Sequence, residues 1–416
     1  MRILFLAKDY PPAAWHGVSV YLQKTTKALA ERGHEVHVLD VTPKHRVRDQ
    51  QDGDVVVHYR RTLRLRGSTR IRRRLPTRVV RFLDRRASAF RRERLLRRLN
   101  WAISYYREYR RLNIDFDVVE AYDVFFLGLL FSLLHPRPLV VCLHSPPLSL
   151  FKIEDGERKW RARLCELGDR INVRGADLLT SPSRLLVQAR KNTGFLNSNE
   201  PWIVPNMVDP ALWASVRSVR STRPVVLAYG VESIKAPEVL AEAAAILRPQ
   251  VPGIEVIIVG RSVGTRAGRP YGDWLAERVE ELRAPVRLVG QIPHPQMPEF
   301  HGLARVLAIP SHFEVFSGLA LEAMASGRPI VCTSRVGVSE LADESEAITV
   351  VPMDDPTALA EALRPHLENV ERAAEAGERA RLIVKARLNP ERIAREREVA
   401  YGEAVRRWRL RQGASR

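Results

Sequence analysis

Short apolar runs alternate with helical patterns along most of the chain. Ile3-Leu4-Phe5-Leu6-Ala7, closed by Lys8-Asp9-Tyr10-Pro11-Pro12, reads as a buried strand ended by a turn. A loop to Gly17 and a helix from Val18 to Arg32 follow, with Val20, Leu22, Thr26, Leu29 and Ala30 as its apolar side and Gly33 as its cap. Glu35-Val36-His37-Val38-Leu39 is the next strand, and strand–loop–helix–strand predicts a parallel sheet with loops gathered at the strands' C-terminal ends. Asp117–Ala121 and Leu139–Leu143 continue that sheet, and Ala176–Ser183 and Trp202–Asp209 complete the first half. After the polar, basic stretch Ser215–Arg223, a second series of strands opens at Val225 and recurs at Glu255–Gly260, Val286–Gln291, Arg305–Ile309 and Pro329–Ser334. From Asp355 onward the pattern is helical, ending in a charged helix over Asn389–Arg411. The expected organisation is an α/β chain of two Rossmann-like domains, 1–212 and 222–388, with residues 389–416 as a terminal helix or tail.

Length and composition agree with this. At 416 residues, 45% hydrophobic and 28% charged, the chain suits two soluble globular domains. The opening apolar run is too short for a signal peptide, and no run approaches the roughly 20 residues that span a bilayer. Cys142, Cys165 and Cys332 are scattered without metal spacing or a disulfide framework, so the expected location is the reducing cytoplasm. The net charge of +19 is local: twenty arginines and three acidic residues lie between Arg60 and Arg111, leaving 47 basic and 45 acidic residues elsewhere. In that segment Val79, Leu83, Phe90, Leu95, Leu99, Ile103 and Tyr106 fall near helical spacing, with Trp101, Tyr105 and Tyr109 clustered near its end. It reads as a helical insertion with a solvated basic face, or as a surface for anionic lipid headgroups at the inner face of a membrane. Nucleic acid is disfavoured, because no fingerprint of a binding module accompanies the arginines.

The chemistry concentrates in Ile309–Pro329, where a strand stopped by Pro310 leads through a loop into a helix from about Ser317 to Ser326, closed by Gly327 and Pro329. First-turn N–H groups of such a helix make an anion site. Glu314 in the loop and Glu322 in the helix would repel a phosphate, so each is better suited to accept from hydroxyl groups. Phosphates flanked by hydroxylated rings describe a nucleotide-sugar. Two solvated glutamates on a surface helix are the alternative for any isolated pair of this spacing.

Leu321-Glu322-Ala323-Met324-Ala325-Ser326-Gly327-Arg328-Pro329, with Glu314 before it, resembles the E-x7-E signature of the retaining family 4 glycosyltransferases, although Val315-Phe316-Ser317-Gly318 is longer than the usual loop. The resemblance implies the GT-B fold, two Rossmann-like domains facing each other across a deep cleft, with the acceptor on the first, the nucleotide-sugar on the second, and a C-terminal helix over 389–416 that crosses back to the first domain. It implies that Glu314 holds sugar hydroxyls, that backbone N–H groups of Phe316, Ser317 and Gly318 lie near sugar and phosphate, and that Glu322 accepts both ribose hydroxyls. Lys235 matches the lysine of a cationic diphosphate clamp, while the clamp arginine is missing after Gly230, with Arg261 as a candidate substitute. His144, ending a strand, matches a histidine that contacts the donor sugar. Gly17 belongs to a phosphate-approaching loop in which His16 replaces the usual first glycine. Pro205-Asn206-Met207-Val208-Asp209 resembles the family's boundary element, with Met207 in place of Gly.

The expected activity is metal-independent transfer of a sugar from a nucleotide donor, a UDP-sugar first, with retention. The acceptor would be lipid-linked, anionic or a secondary metabolite. No cofactor and no metal are expected, since no His/Asp ligand cluster stands out. A GT-B epimerase or hydrolase, and a non-catalytic binder of membranes or polyanions, are the other readings.

Overall fold

A computed structural model of the chain describes residues 1–12, 17–63, 88–145, 156–196, 200–216, 223–342 and 346–414, without the side chains of residues 88–95 and 156–164. The chain divides into two compact units, Met1–Ser181 with Ala189–Ile203 and Ala394–Arg416, and Pro182–Gln188 with Val204–Ile393. The division falls at Ile203, ahead of residue 212, because the Pro210–Trp213 helix buries Trp213 in the second unit's core and the Val208 N–H donates to Leu388 O at 3.1 Å.

The first unit is built on an eight-stranded sheet. Its strands are β1 (Arg2–Ala7), β2 (Glu35–Val41), β3 (Arg48–Asp52), β4 (Val55–Arg60), β5 (Val118–Tyr122), β6 (Leu139–Cys142), β7 (Leu178–Ser181) and β8 (Trp202–Ile203). They lie in the order β3-β4-β2-β1-β5-β6-β7-β8, parallel except for β3 on β4. The inner strands are buried along their whole length, as helix-covered parallel strands must be. The sequence reading has no strand over β3 or β4: Arg48-Asp49-Gln50-Gln51-Asp52 carries no apolar alternation and is an exposed edge held by its pairing with β4 and by the bonds of Asp49 to His58 and Arg60 and of Asp52 to Tyr10, Gln23 and Lys27.

The arginine-rich segment includes a helix over Ser88–Leu112. Val79, Leu83 and His16 lie outside the described residues, as do the side chains of Phe90 and Leu95. Of the remaining expected apolar stripe, Leu99 and Ile103 are exposed. The buried side is the next one round, Trp101, Ala102, Tyr105 and Tyr109. Tyr105 decides this, since its hydroxyl donates to Ala7 O and accepts from the Val41 N–H at 3.3 Å, tying the helix to β1 and β2. A helix with two candidate stripes shows its period but not which stripe packs.

The second unit's sheet contains β9 (Val225–Val231), β10 (Glu255–Ser262), β13 (Val286–Gly290), β14 (Val306–Ile309), β15 (Ile330–Thr333) and β16 (Ile348–Val351), all parallel, in the order β13-β10-β9-β14-β15-β16. A two-stranded hairpin, β11 (Thr265–Arg266) and β12 (Arg269–Pro270), stands apart. Alternate residues feed two cores. Leu227, Ile257, Leu307 and Ile309 pack with the Gly318–Ala325 helix, while Val226, Val256, Ile258, Val306 and Ala308 pack with the Pro237–Leu247 helix. Chain order reverses at β9 and β14. The crevice beyond the carboxyl ends of such strands is where open α/β sheets take ligands.

Candidate functional site

Lys235 and Glu314 leave from those two strand ends. β9 finishes in Gly230-Val231, and the chain turns through Ser233–Lys235 before the helix starts at Pro237. Gly230 has φ +93°, and a Cβ there would stand 2.7 Å from Lys235 Cγ. The missing side chain is what lets the lysine stem lie across the strand end. Glu314 follows β14 and is fixed through its backbone: its N–H donates to Arg335 O at 3.0 Å and its carbonyl accepts from the Gly337 N–H at 2.8 Å. The His312 N–H donates to Ile234 O at 2.9 Å, joining the two loops. Lys235 Nζ and Glu314 Oε1 are 3.1 Å apart, and the Ser311 hydroxyl is 3.4 Å from Oε2. Both charged side chains are largely but not wholly buried. Arg261, the candidate second cation, is an exposed residue near the end of β10.

Phe316, Ser317 and Gly318 carry the chain from Glu314 into the helix. Phe316 buries its ring in the core, and its carbonyl accepts from Asn206 Nδ2 at 2.8 Å. Ser317 is the N-cap, its hydroxyl accepting from the Ala320 N–H at 3.3 Å. The other first-turn N–H groups, beginning with Gly318, have no carbonyl partner within the helix. Glu322, one turn further in, is 2% exposed. His294 Nε2 reaches its two carboxylate oxygens at 3.0 and 3.2 Å. His294 is not singled out by the sequence, although it stands between two prolines in the loop after Gly290.

Gly17 and His144 belong to the first unit, and the helix that Gly17 opens reaches His144 through a side chain not anticipated there, Tyr21. Gly17 opens the helix Gly17–Glu31, with open space where a Cβ would stand. One turn on, Tyr21 sets its ring 4.4 Å from the His144 imidazole, edge to face. The His144 backbone N–H donates to Asp123 Oδ1 at 3.1 Å, and Asp123 is held by Arg190 at 2.7 Å. Burial pulls the imidazole pKa down to about 3, so it is neutral at physiological pH.

Among the described residues, no group of three or more His, Cys, Asp or Glu side chains is placed to hold a metal ion, and no helix is long and apolar enough to cross a membrane.

Comparison with known proteins accounts for both units. Residues 15–212 match the model described as Glycosyltransferase Family 4, and residues 223–369 match Glycosyl transferases group 1. The chain belongs to glycosyltransferase family 4. Among relatives of this family 4 chain, a D-inositol 3-phosphate glycosyltransferase of Corynebacterium urealyticum is 37% identical over 137 residues, covering 32% of each chain. The protein of the same name from Paenarthrobacter aurescens is 27% identical over 265 residues, 60% of this chain and 63% of the relative. The matches thus span less than two thirds of these relatives' own length. Sucrose-phosphate synthase from Thermosynechococcus elongatus superposes with a TM-score of 0.72 at 20% identity, covering 97% of this chain and 98% of that one. Anabaena HepE in complex with UDP superposes with a TM-score of 0.67 at 18% identity, over 97% and 100%. These likenesses establish the GT-B fold of two Rossmann-like domains.

Proposed function

We propose that this family 4 chain transfers a sugar from a nucleotide-sugar to an acceptor hydroxyl with retention at the anomeric carbon. The observation that carries the reading is the placement of Lys235, Glu314 and the Ser317-capped helix at the β9/β14 reversal, with Glu322 buried in the next turn. Lys235 and the helix N-terminus take the diphosphate and stabilise it as it leaves, acting as oriented charge and dipole. No metal is assigned a part. Glu314 accepts from sugar hydroxyls, and Glu322 accepts from the ribose. His144 offers a neutral imidazole to the reacting sugar. A UDP-sugar is the preferred donor, supported by the solved structures of Anabaena HepE in complex with UDP and with UDP-glucose.

For the acceptor, an anionic or lipid-linked molecule is favoured. Leu96, Leu99 and Ile103 are exposed at helical spacing on the arginine-rich helix, and Arg110 falls on the same side. An apolar strip bordered by arginines suits the headgroup region of an anionic membrane on the cytoplasmic side. Failure to bind anionic vesicles at low salt removes this part.

The donor reading is tested by calorimetry with UDP-, GDP-, ADP- and dTDP-sugars on wild type and Glu322→Ala. Selective binding that the variant loses is expected. Absence of binding to every donor overturns the reading. Donor consumption without transfer to any added acceptor points instead to a hydrolase or epimerase.

A further inference from the structure

One buried nucleophile has no part in that scheme. Cys142, the last residue of β6, is 1% exposed, and its Sγ lies 3.3 Å from Nε2 of His144. Two residues apart on an extended chain, the two side chains point the same way. Around the sulfur stand the Tyr21 hydroxyl at 3.7 Å, Arg397 Nη2 at 4.0 Å and the Thr180 hydroxyl. Arg397 belongs to the helix Pro390–Ala414 and is fully buried. Its Nη1 is 2.9 Å from both Glu120 oxygens, and the Tyr401 hydroxyl donates to the same carboxylate at 2.6 Å. The Arg397 guanidinium also lies over the Tyr21 ring, 5.3 Å from its centroid.

These neighbours decide which way the thiol proton goes. A guanidinium has donors and no acceptor, and the Tyr21 and Thr180 hydroxyls can donate as well, so all three address the lone pairs of the sulfur. With the guanidinium and both hydroxyls donating, the S–H is directed to the imidazole nitrogen, a stronger acceptor than either hydroxyl oxygen. Burial keeps the Cys142 thiol protonated and the His144 ring neutral. A neutral imidazole carries one N–H, and a ring accepting at Nε2 carries it at Nδ1.

We infer that Cys142 is a positioning residue: its S–H donates to His144 Nε2 and fixes the imidazole as the Nδ1–H tautomer, leaving that N–H as the donor the ring presents to substrate. The ring plane is held by the edge contacts from Tyr21 at 4.4 Å and Tyr122 at 5.1 Å. The sulfur is held by Arg397, and thus by the Glu120–Tyr401 cluster. Without the thiol the free ring would exchange between two tautomers, only one of which presents a proton at Nδ1. The inference rests on the reading that His144 contacts the reacting sugar.

The test uses the full chain labelled with 15N-histidine, with His144 assigned by comparison with His144→Gln. Long-range 15N–1H correlation then reports which ring nitrogen carries the proton. Wild type is expected as a single Nδ1–H form, and Cys142→Ser, which keeps a donor, as the same form with kcat within about 2-fold. Cys142→Val, which keeps the volume and loses the donor, is expected to show mixed or Nε2–H signals. Its kcat should fall roughly 3- to 10-fold, the span of one neutral hydrogen bond, with KM for the donor unchanged. An Nε2–H ring in wild type, or an unaltered tautomer in Cys142→Val, overturns the inference. If the tautomer follows Cys142 but His144→Gln turns over normally, the assignment of the thiol stands and the assigned role of His144 fails.

Discussion

Lys235 and Glu314 neutralise each other at 3.1 Å, so a diphosphate approaching the lysine competes with the carboxylate for its N–H donors. Glu314→Gln keeps the shape and removes that competition. UDP binding, measured by calorimetry, should hold or tighten by a few-fold, while kcat falls by roughly 100-fold as a group contacting the sugar in the transition state is weakened. Weaker UDP binding together with unchanged kcat contradicts both assignments. At this scale the sequence was informative where a site is contiguous. Glu314, Ser317 and Glu322 come from one stretch, and a strand-stop, cap and helix pattern places them. His294 meets Glu322 from 28 residues away, and nothing in a lone histidine between prolines says which carboxylate it faces.

The helix carrying Glu322 shows why its motif has the spelling it does. Gly327 at φ +73° sends its N–H to Met324 O and the Arg328 N–H to Ala323 O, both at 2.9 Å, which closes the helix as a Schellman turn. Arg328 then buries its guanidinium against the carbonyls of His301, Ser326 and Gly327. The Gly-Arg-Pro ending was readable as a stop. The small residue at Gly337 was less so: a Cβ there would stand 1.9 Å from Val315 O, and its N–H holds the Glu314 carbonyl. Gly337→Ala should force the Glu314 loop outward, lowering stability by about 1–3 kcal/mol in urea titrations and abolishing turnover. A variant with wild-type stability and turnover would show that this loop is not rigid. The arginine-rich helix is the opposite case, since its period was legible while its buried face was chosen by Tyr105 reaching β1, a tertiary contact.

Across the molecule, residues 394–414 complete the first unit rather than forming a tail. Glu398 accepts from Arg32 Nε at 2.5 Å and Nη2 at 2.8 Å, and these bonds depress its pKa from 4.5 to about 2. A carboxylate with a lowered folded pKa contributes fully above 4.5, and that contribution is lost as pH falls from 4.5 towards 2. Glu398→Gln should therefore be less stable than wild type by roughly 1 kcal/mol near neutral pH, the upper range for a partly exposed pair. The gap should close as pH drops through that window, read from denaturant midpoints; a gap that persists at the acid end would rule out ionisation as its cause. None of these partners was legible in advance, because a charged helix offers many arginines and glutamates and no rule for choosing among them.

The Glu120 cluster adds an order of events. Glu120 sits in the middle of the first unit's sheet, and the groups that satisfy it, Arg397 and Tyr401, are 277 and 281 residues further on. A ribosome making this chain exposes β1 to β8 long before it exposes those groups, with the whole of the second unit's sheet in between. During that interval the first sheet holds a desolvated carboxyl with no partner, a costly arrangement that favours an open, incompletely packed state. The second unit, whose strands are contiguous from Val225 to Val351, has no such debt to wait for. The half translated first is therefore expected to finish folding last.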